Sequence, residues 1–231
     1  DWWVYHISFE QALRAGRVTE EWRAQRAKQW GADTALYLNR VMGEFAIQRE
    51  GAIIPLAWVE MANERWLEWQ AQGFPGRLTS VGVDVGTAAE GDTQHDEAVA
   101  AEVWDYVKVR RLHREMVGDA AVSTVQVEQH VMGILGNPGD RVPCFPDTVG
   151  IGLGLGQHLR ARGYNVLDFV ASYRTELKDM DGALGFVNWR SAAWMMVREL
   201  LDPANEIPVC LPPDDKLIGE LCMVQGKPNN R

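Results

Sequence analysis

No run of eighteen consecutive apolar residues occurs in this chain, which excludes a simple helical membrane span. No basic n-region followed by an apolar h-region opens it, so no signal peptide is expected. The first residues, "DWWVYHISFE", lack a methionine and read as the interior of a longer protein. Cysteine is scarce: Cys144, Cys210 and Cys222 are the full set of 3, with no CxxC spacing. They read as small buried hydrophobes in a reducing compartment, not as disulfides or metal ligands. The 5 histidines (His6, His95, His113, His130, His158) form no HxxxH pair, which argues against a histidine zinc site. No GxxxxGKS or GxxxxGKT element is present, so the chain has no phosphate loop of the NTPase type. Basic residues number 23 against 32 acidic ones, and the formal net charge is −9. That balance argues against a general nucleic-acid binder, because phosphate neutralisation needs Lys and Arg. It leaves room for an enzyme whose acids gather at a metal site. Most of the basic residues are Arg, the type suited to bidentate phosphate contacts.

What is present is a chain of 231 residues, 46% apolar, enough for one large domain or a domain with an appendage. Residues 9–73 read as helical. In "TEEWRAQRAKQW" a Thr can cap and Glu follows in the first turn. "ADTALYLNRVMGEF" has helical apolar spacing, weakened at its end by Gly43. "IIPLAWVEMANERWLEWQAQG" carries Pro55 near its start and Gly73 past its end. Trp22, Trp30, Trp58, Trp66 and Trp69 in this part read as packing residues.

"FPGR", Phe74 to Arg77, is the expected boundary. It divides a helical segment, 1–76, from a second domain, 77–231. Strand-like runs follow at Leu78–Val85, Ala98–Trp104 and Tyr106–His113, then a helical run at Ser123–Leu135 and a break at "NPGDR". "VPCFPD" is a short apolar segment ending on Asp147. Ile151–Arg162 reads as a helix, Asn165–Ser172 as a strand and Phe186–Leu201 as an amphipathic helix. "PVCLPPDDKLIGEL" reads as a short strand, a break at Pro212–Pro213 and a last helix. Short links pair the first three strands antiparallel, and helical crossovers make the later ones parallel. The fold class is α/β, the mixed sheet of the RNase H-like fold preceded by a helical segment.

Asp84 ends the first strand, Asp147 ends the fourth apolar segment, and Asp214 and Asp215 open the last helix. Sites in open α/β sheets form outside strand ends. If the first and fourth strands are neighbours, Asp84 and Asp147 project to a common point. Two carboxylates about 4 Å apart repel by roughly 4 kcal/mol at an effective dielectric near 20, so such a cluster needs a counter-cation. Oxygen-only ligands select hard cations, Mg²⁺ or Mn²⁺. Two such ions can activate a water and stabilise a leaving oxygen at a phosphate, which gives phosphodiester hydrolysis. Each residue also has a structural reading: Asp214 or Asp215 as a helix cap, Asp147 as part of a turn. The glycines of "VGIGLGLGQHL" are spaced GxGxG, not GxGxxG, and close packing of a helix beside Asp147 explains them as well as a dinucleotide site does.

These residues carry a family resemblance. The chain resembles the C-terminal part of a tailed-bacteriophage terminase large subunit, the motor that packages and cuts viral genomes, and the resemblance covers nearly all of it. "VMGEF" with "AIIPLAWVEMANER" is similar to the end of the ATPase region and its linker. "VGVDVGTAAEGDT" is similar to the first nuclease motif and "FPDTVGIGLGLGQHLRARGYNV" to the second. "GFVNWRSAAWMMVRELLDP" and "LPPDDKLIGEL" resemble the closing helix and the third acidic motif. The resemblance implies a divalent-metal-dependent endonuclease acting on double-stranded DNA, with two Mg²⁺ or Mn²⁺ ions held by Asp84, Asp147 and one of Asp214 and Asp215. Asp215 is preferred as closer to the helix proper. Asp92 falls where the family often has a further acid, and equally reads as a solvated turn. The resemblance further implies an ATPase domain on the same polypeptide, a small terminase subunit and a portal protein as partners, no membrane, and the host cytoplasm as the place of action. Arg160, Arg162, Arg174 and Lys178 are candidate DNA-backbone contacts, or solvated surface. Two other readings remain: a phosphotransferase fragment, since "GVDVGT" resembles the phosphate loop of the actin and sugar-kinase family, and a catalytically silent DNA-packaging assembly module.

Overall fold

The computed structural model describes residues 7–30, 32, 35–43, 52–85, 97–116, 124–148 and 152–225. Four helices come first: α1 (Phe9–Arg14), α2 (Glu20–Trp30), α3 (Ala35–Arg40) and α4 (Leu56–Ala71). Their starts are local. Ser8 and Gln11 form a capping box at α1, and Thr19 Oγ1 accepts from the Trp22 N–H at 3.1 Å at the head of α2. After α4 the chain turns at Phe74 and Gly76 into β1 (Leu78–Asp84), followed by β2 (Glu97–Trp104) and β3 (Lys108–Met116). Next come α5 (Thr124–Leu135), β4 (Cys144–Pro146), α6 (Gly152–Ala161), α7 (Trp189–Leu201) and α8 (Asp215–Met223).

The described strands form one sheet in the order β3-β2-β1-β4. β1 and β2 pair antiparallel, as do β2 and β3, whereas β1 and β4 pair parallel. This is the expected mixed sheet of the RNase H-like fold. Side chains alternate across it. Val81 and Val83 of β1, Ala98 and Ala100 of β2 and Cys144 of β4 turn to one face, where Val127 and Val131 of α5 and Leu155 and Leu159 of α6 cover them. The residues between them face the other way.

Several expected elements differ in extent. The second hairpin strand begins at Lys108, because Asp105 and Tyr106 take positive φ of 47° and 71° in the turn. α7 begins at Trp189, where the Asn188 carboxamide oxygen accepts from the Ser191 N–H at 2.9 Å and caps it. The expected strand at Asn165–Ser172 is not a regular strand. It runs beside β4 through two isolated parallel bridges, Cys144 with Val166 and Asp147 with Phe169. Asn165 O accepts from the Cys144 N–H at 2.9 Å and Phe169 O from the Thr148 N–H at 3.1 Å. Between these two donors stands Pro146, which has no N–H, so the ladder breaks at its midpoint. The short strand expected near Cys210 is likewise a single bridge, to Lys108.

Across the expected boundary at Phe74–Arg77, the N-terminal helices pack on the C-terminal ones. One apolar cluster joins Phe9, Tyr37, Val41, Ile54, Val59 and Ala62 to Leu201, Val209, Leu211, Ile218 and Leu221. The N-terminal helices therefore share a core with α7 and α8. Trp22 and Trp58 pack against that cluster. Trp66 and Trp69 meet Phe74 edge-on at 5.3 and 4.8 Å, and the Arg110 guanidinium lies 4.7 Å from the Trp104 ring. Packing is thus the role of Trp22, Trp58, Trp66 and Trp69, while the Trp30 side chain lies outside the described residues. Cys144 and Cys210 are buried and unbridged, and burial pushes the Cys144 thiol up to about 12 and the Cys222 thiol to about 11, which leaves both inert at neutral pH. Among the described residues no helix is long and apolar enough to cross a membrane.

The turn into β1 depends on Gly76. Its φ is 134°, and a Cβ there would stand 2.4 Å from Asp105 Oδ2. That carboxylate cannot swing away without cost, since it accepts from the Arg77 N–H and from Lys108 Nζ, each at 3.2 Å. Backbone of this kind costs a non-glycine residue roughly 1–3 kcal/mol. Gly76→Ala is expected to lower the melting midpoint by about 2–12 °C at roughly 2–4 °C per kcal/mol for a chain of this size. An unchanged midpoint in a thermal melt would contradict this account of the turn.

Candidate functional site

Asp84 is the last residue of β1 and its side chain is exposed. β1 is central, so the strand up to that point is buried by alternation and the carboxylate emerges where the sheet ends. β4 lies directly beside it: Val83 is paired with Pro146, and the Asp147 N–H donates to Val83 O at 2.9 Å. One residue further along both strands stand Asp84 and Asp147. The two acids therefore occupy adjacent carboxyl ends of parallel neighbours, one strand spacing or about 4.8 Å apart in backbone terms. Both lie on the face turned away from α5 and α6.

Asp147 is held by the start of α6. The Gly152 Cα comes so close to it that a Cβ would fall 1.7 Å from Asp147 O. A Cβ on Gly156 would lie 3.4 Å from the Thr148 methyl and 3.6 Å from Pro146 Cγ, whereas one on Gly154 would meet nothing within 4 Å. Among the described glycines of this run, Gly152 and Gly156 thus serve helix–strand packing and Gly154 does not.

Asp214 reaches the same face by another route. It is the N-cap of α8, and its Oδ1 accepts from the Leu217 N–H at 2.7 Å. Arg114 of β3 grips it with two nitrogens: Nη2 donates to Oδ1 at 2.9 Å and Nε to Oδ2 at 3.3 Å. Burial opposes charge on the Asp214 carboxyl, but the Leu217 N–H and the Arg114 guanidinium outweigh it and hold the group below the usual carboxylate range. The register places Arg114 opposite Val99, and Val99 opposite Asp84. Residues directly opposite share a face. Arg114 and Asp84 therefore stand on one row of the sheet, with Asp214 bound to one end of it.

Asp215 is separate. Its side chain is exposed and its Oδ1 lies 3.9 Å from Arg40 Nη1 of α3. The preferred third position thus faces the helical layer, while its neighbour Asp214 faces the sheet. Asp92 lies outside the described residues. Among the described residues no three His, Cys, Asp or Glu side chains stand together as a ready metal site. Arg114 engages Asp214 and Arg40 lies near Asp215, so the two neighbouring acids meet different cations. The donors that do gather are carboxylate oxygens, a set that suits Mg²⁺ or Mn²⁺.

The candidate DNA contacts fall into two groups. Arg160 Nη2 is 2.6 Å from Asp168 Oδ2, and Arg162 Nη1 is 2.6 Å from Oε1 of the buried Glu128. These two guanidiniums are engaged by carboxylates of the same chain. Arg174 and Lys178 are exposed, and Lys178 bridges to Gly185 in a hairpin-like loop. Arg114 was not legible as a site residue, since only the register across β2 brings it to the acids.

No protein family compared with the chain matches it, nor does any curated protein. Among solved structures, a mutant nuclease domain of the large terminase subunit gp2 of bacterial virus Sf6, with manganese and beta-thujaplicinol, superposes with a TM-score of 0.51. That likeness covers 78% of this chain and 84% of that chain at 14% identity. The Mos1 strand transfer complex covers 94% of this chain and 69% of that chain at 15% identity, but its TM-score of 0.25 carries no argument. At such identities the likeness is one of fold: the chain has the RNase H-like fold, in the form also taken by the nuclease domain of a viral large terminase subunit.

Proposed function

We propose that this chain is a divalent-metal-dependent endodeoxyribonuclease, the nuclease part of a viral genome-packaging terminase. The observation that carries the reading is the pairing of Asp84 with Asp147 on adjacent ends of parallel strands. The fold likeness to a terminase nuclease domain supports it, as do the four motif resemblances in order. Asp84 and Asp147 would hold Mg²⁺ or Mn²⁺, two ions per site, with Asp214 or Asp215 as a further carboxylate. When bound, such ions supply an activated water and stabilise the leaving oxygen of a phosphodiester. The chain's own contribution is positional. β1 and β4 are rigid elements, and acids at their ends are oriented before substrate arrives. Double-stranded DNA is the substrate in this reading, with Arg174 and Lys178 as backbone contacts. Arg160 and Arg162 join them where DNA displaces their internal partners. The ATPase domain of the same polypeptide, the small subunit and the portal protein complete the packaging machine.

The test is incubation of supercoiled plasmid with the chain. Nicking and degradation are expected with Mn²⁺ or Mg²⁺ and none with chelator. Cutting that continues undiminished in chelator would sink the reading.

A further inference from the structure

Resting on the nuclease reading, we propose that Arg114 is a positioning residue of this site, acting through Asp214. Three observations meet on it. The register puts it on the row and face of Asp84, two strands away. Its guanidinium holds both oxygens of Asp214, at 2.9 and 3.3 Å. Asp214 is in turn the cap of α8, bonded to the Leu217 N–H at 2.7 Å. One arginine therefore ties the head of α8 to the sheet end that carries the carboxylate pair.

The pair is built for position. Its side chains are only 20% and 30% exposed, so solvent screens it less than a surface ion pair. The two-nitrogen fork sets the plane of the Asp214 carboxylate as well as its place, which a point charge cannot do. The Asp214 carboxylate is thus aimed before any metal arrives. A ligating Asp214 must share or exchange its Arg114 contacts, so Arg114 also tunes how readily the third carboxylate joins a metal.

The test is a double-mutant cycle on Arg114→Gln and Asp214→Asn, read in three ways on the full chain. The first readout is Mn²⁺ binding, followed by the loss of the free-ion paramagnetic resonance signal. The second is the rate of plasmid cleavage, and the third is the melting midpoint. Losing one bidentate charged contact is expected to slow cleavage about ten- to a hundredfold and to change the Mn²⁺ binding curve. In the Asp214→Asn background, Arg114→Gln should have almost no further effect on either. Arg114→Lys should recover only part of the rate, because it restores the charge but not the fork. A residue that merely supports the fold would move the midpoint and leave Mn²⁺ binding alone. The role is overturned if Arg114→Gln leaves cleavage and Mn²⁺ binding unchanged. It is equally overturned if the substitution costs the same factor with and without Asp214, or if Arg114→Lys matches the wild type. A wild-type chain that neither cuts nor binds Mn²⁺ removes the nuclease reading itself, and this role with it. A wild type that does both, with an inert Arg114, removes this role alone.

Discussion

With asparagine at position 84, metal-dependent plasmid cleavage is expected to fall by about a thousandfold or more, roughly 4 kcal/mol of barrier at ~1.4 kcal/mol per factor of ten. Asparagine nearly keeps the shape of the aspartate and removes its charge, so the loss would report ligation and not packing. The same substitution should have an opposite signature in stability. Asp84 and Asp147 stand on adjacent strand ends, and two carboxylates about 4 Å apart repel by roughly 4 kcal/mol at an effective dielectric near 20. Without metal, Asp84→Asn should therefore melt at or above the wild type. A metal that binds only the folded chain adds about 2.7 kcal/mol at one hundred times its dissociation constant. That corresponds to roughly 5–11 °C at 2–4 °C per kcal/mol, and the shift should shrink sharply in Asp84→Asn. Thermal melts of both proteins with and without Mn²⁺ at fixed ionic strength measure all of this. If Asp84→Asn is clearly less stable than the metal-free wild type and keeps the full Mn²⁺ shift, Asp84 is a structural cap.

The second large effect is expected at a residue with no chemistry of its own. Gly152→Ala would place a Cβ 1.7 Å from Asp147 O, and the obstacle is backbone, which cannot rotate aside. Either the head of α6 or the end of β4 must move. Overpacking of this kind costs about 1–3 kcal/mol and sometimes more. A fall of roughly 2–12 °C in the midpoint follows at 2–4 °C per kcal/mol. Cleavage should suffer more than stability, because the atom displaced belongs to Asp147 itself. Gly154→Ala is the matched control: it sits two residues along α6, where a Cβ meets nothing within 4 Å. There the better helix propensity of alanine should raise stability by about 1 kcal/mol. Equal behaviour of the two alanine variants would show that α6 does not position Asp147.

The contrast between these two glycines marks how far the sequence could be read. "VGIGLGLGQHL" gives the spacing of the glycines, and close helix packing beside Asp147 was one of two readings. Which glycine touches the strand depends on the rotation of α6, which no local pattern sets. The strand expected at Asn165–Ser172 shows a similar limit. Its composition is strand-like, but its partner strand lacks an N–H at Pro146, and that fact acts only once the two segments are paired.

By itself the sequence determined the order of the elements and the placing of two acids. Alternation in Leu78–Asp84 and the caps at Thr19 and Asp214 are local signals, and local signals survive without tertiary context. The position of Asp84 and Asp147 at strand ends followed from these, and the strand order β3-β2-β1-β4 then made them neighbours. Only the tertiary structure decided which cation each further acid meets. Asp214 and Arg114 are 100 residues apart in the chain, and Asp215 turns to Arg40 although it is the next residue. Charge pairing acts over a few ångströms, so it depends on where β3, α3 and α8 pack. Packing likewise joined the N-terminal helices to α7 and α8 in one core, across a boundary that composition had drawn at Phe74–Arg77.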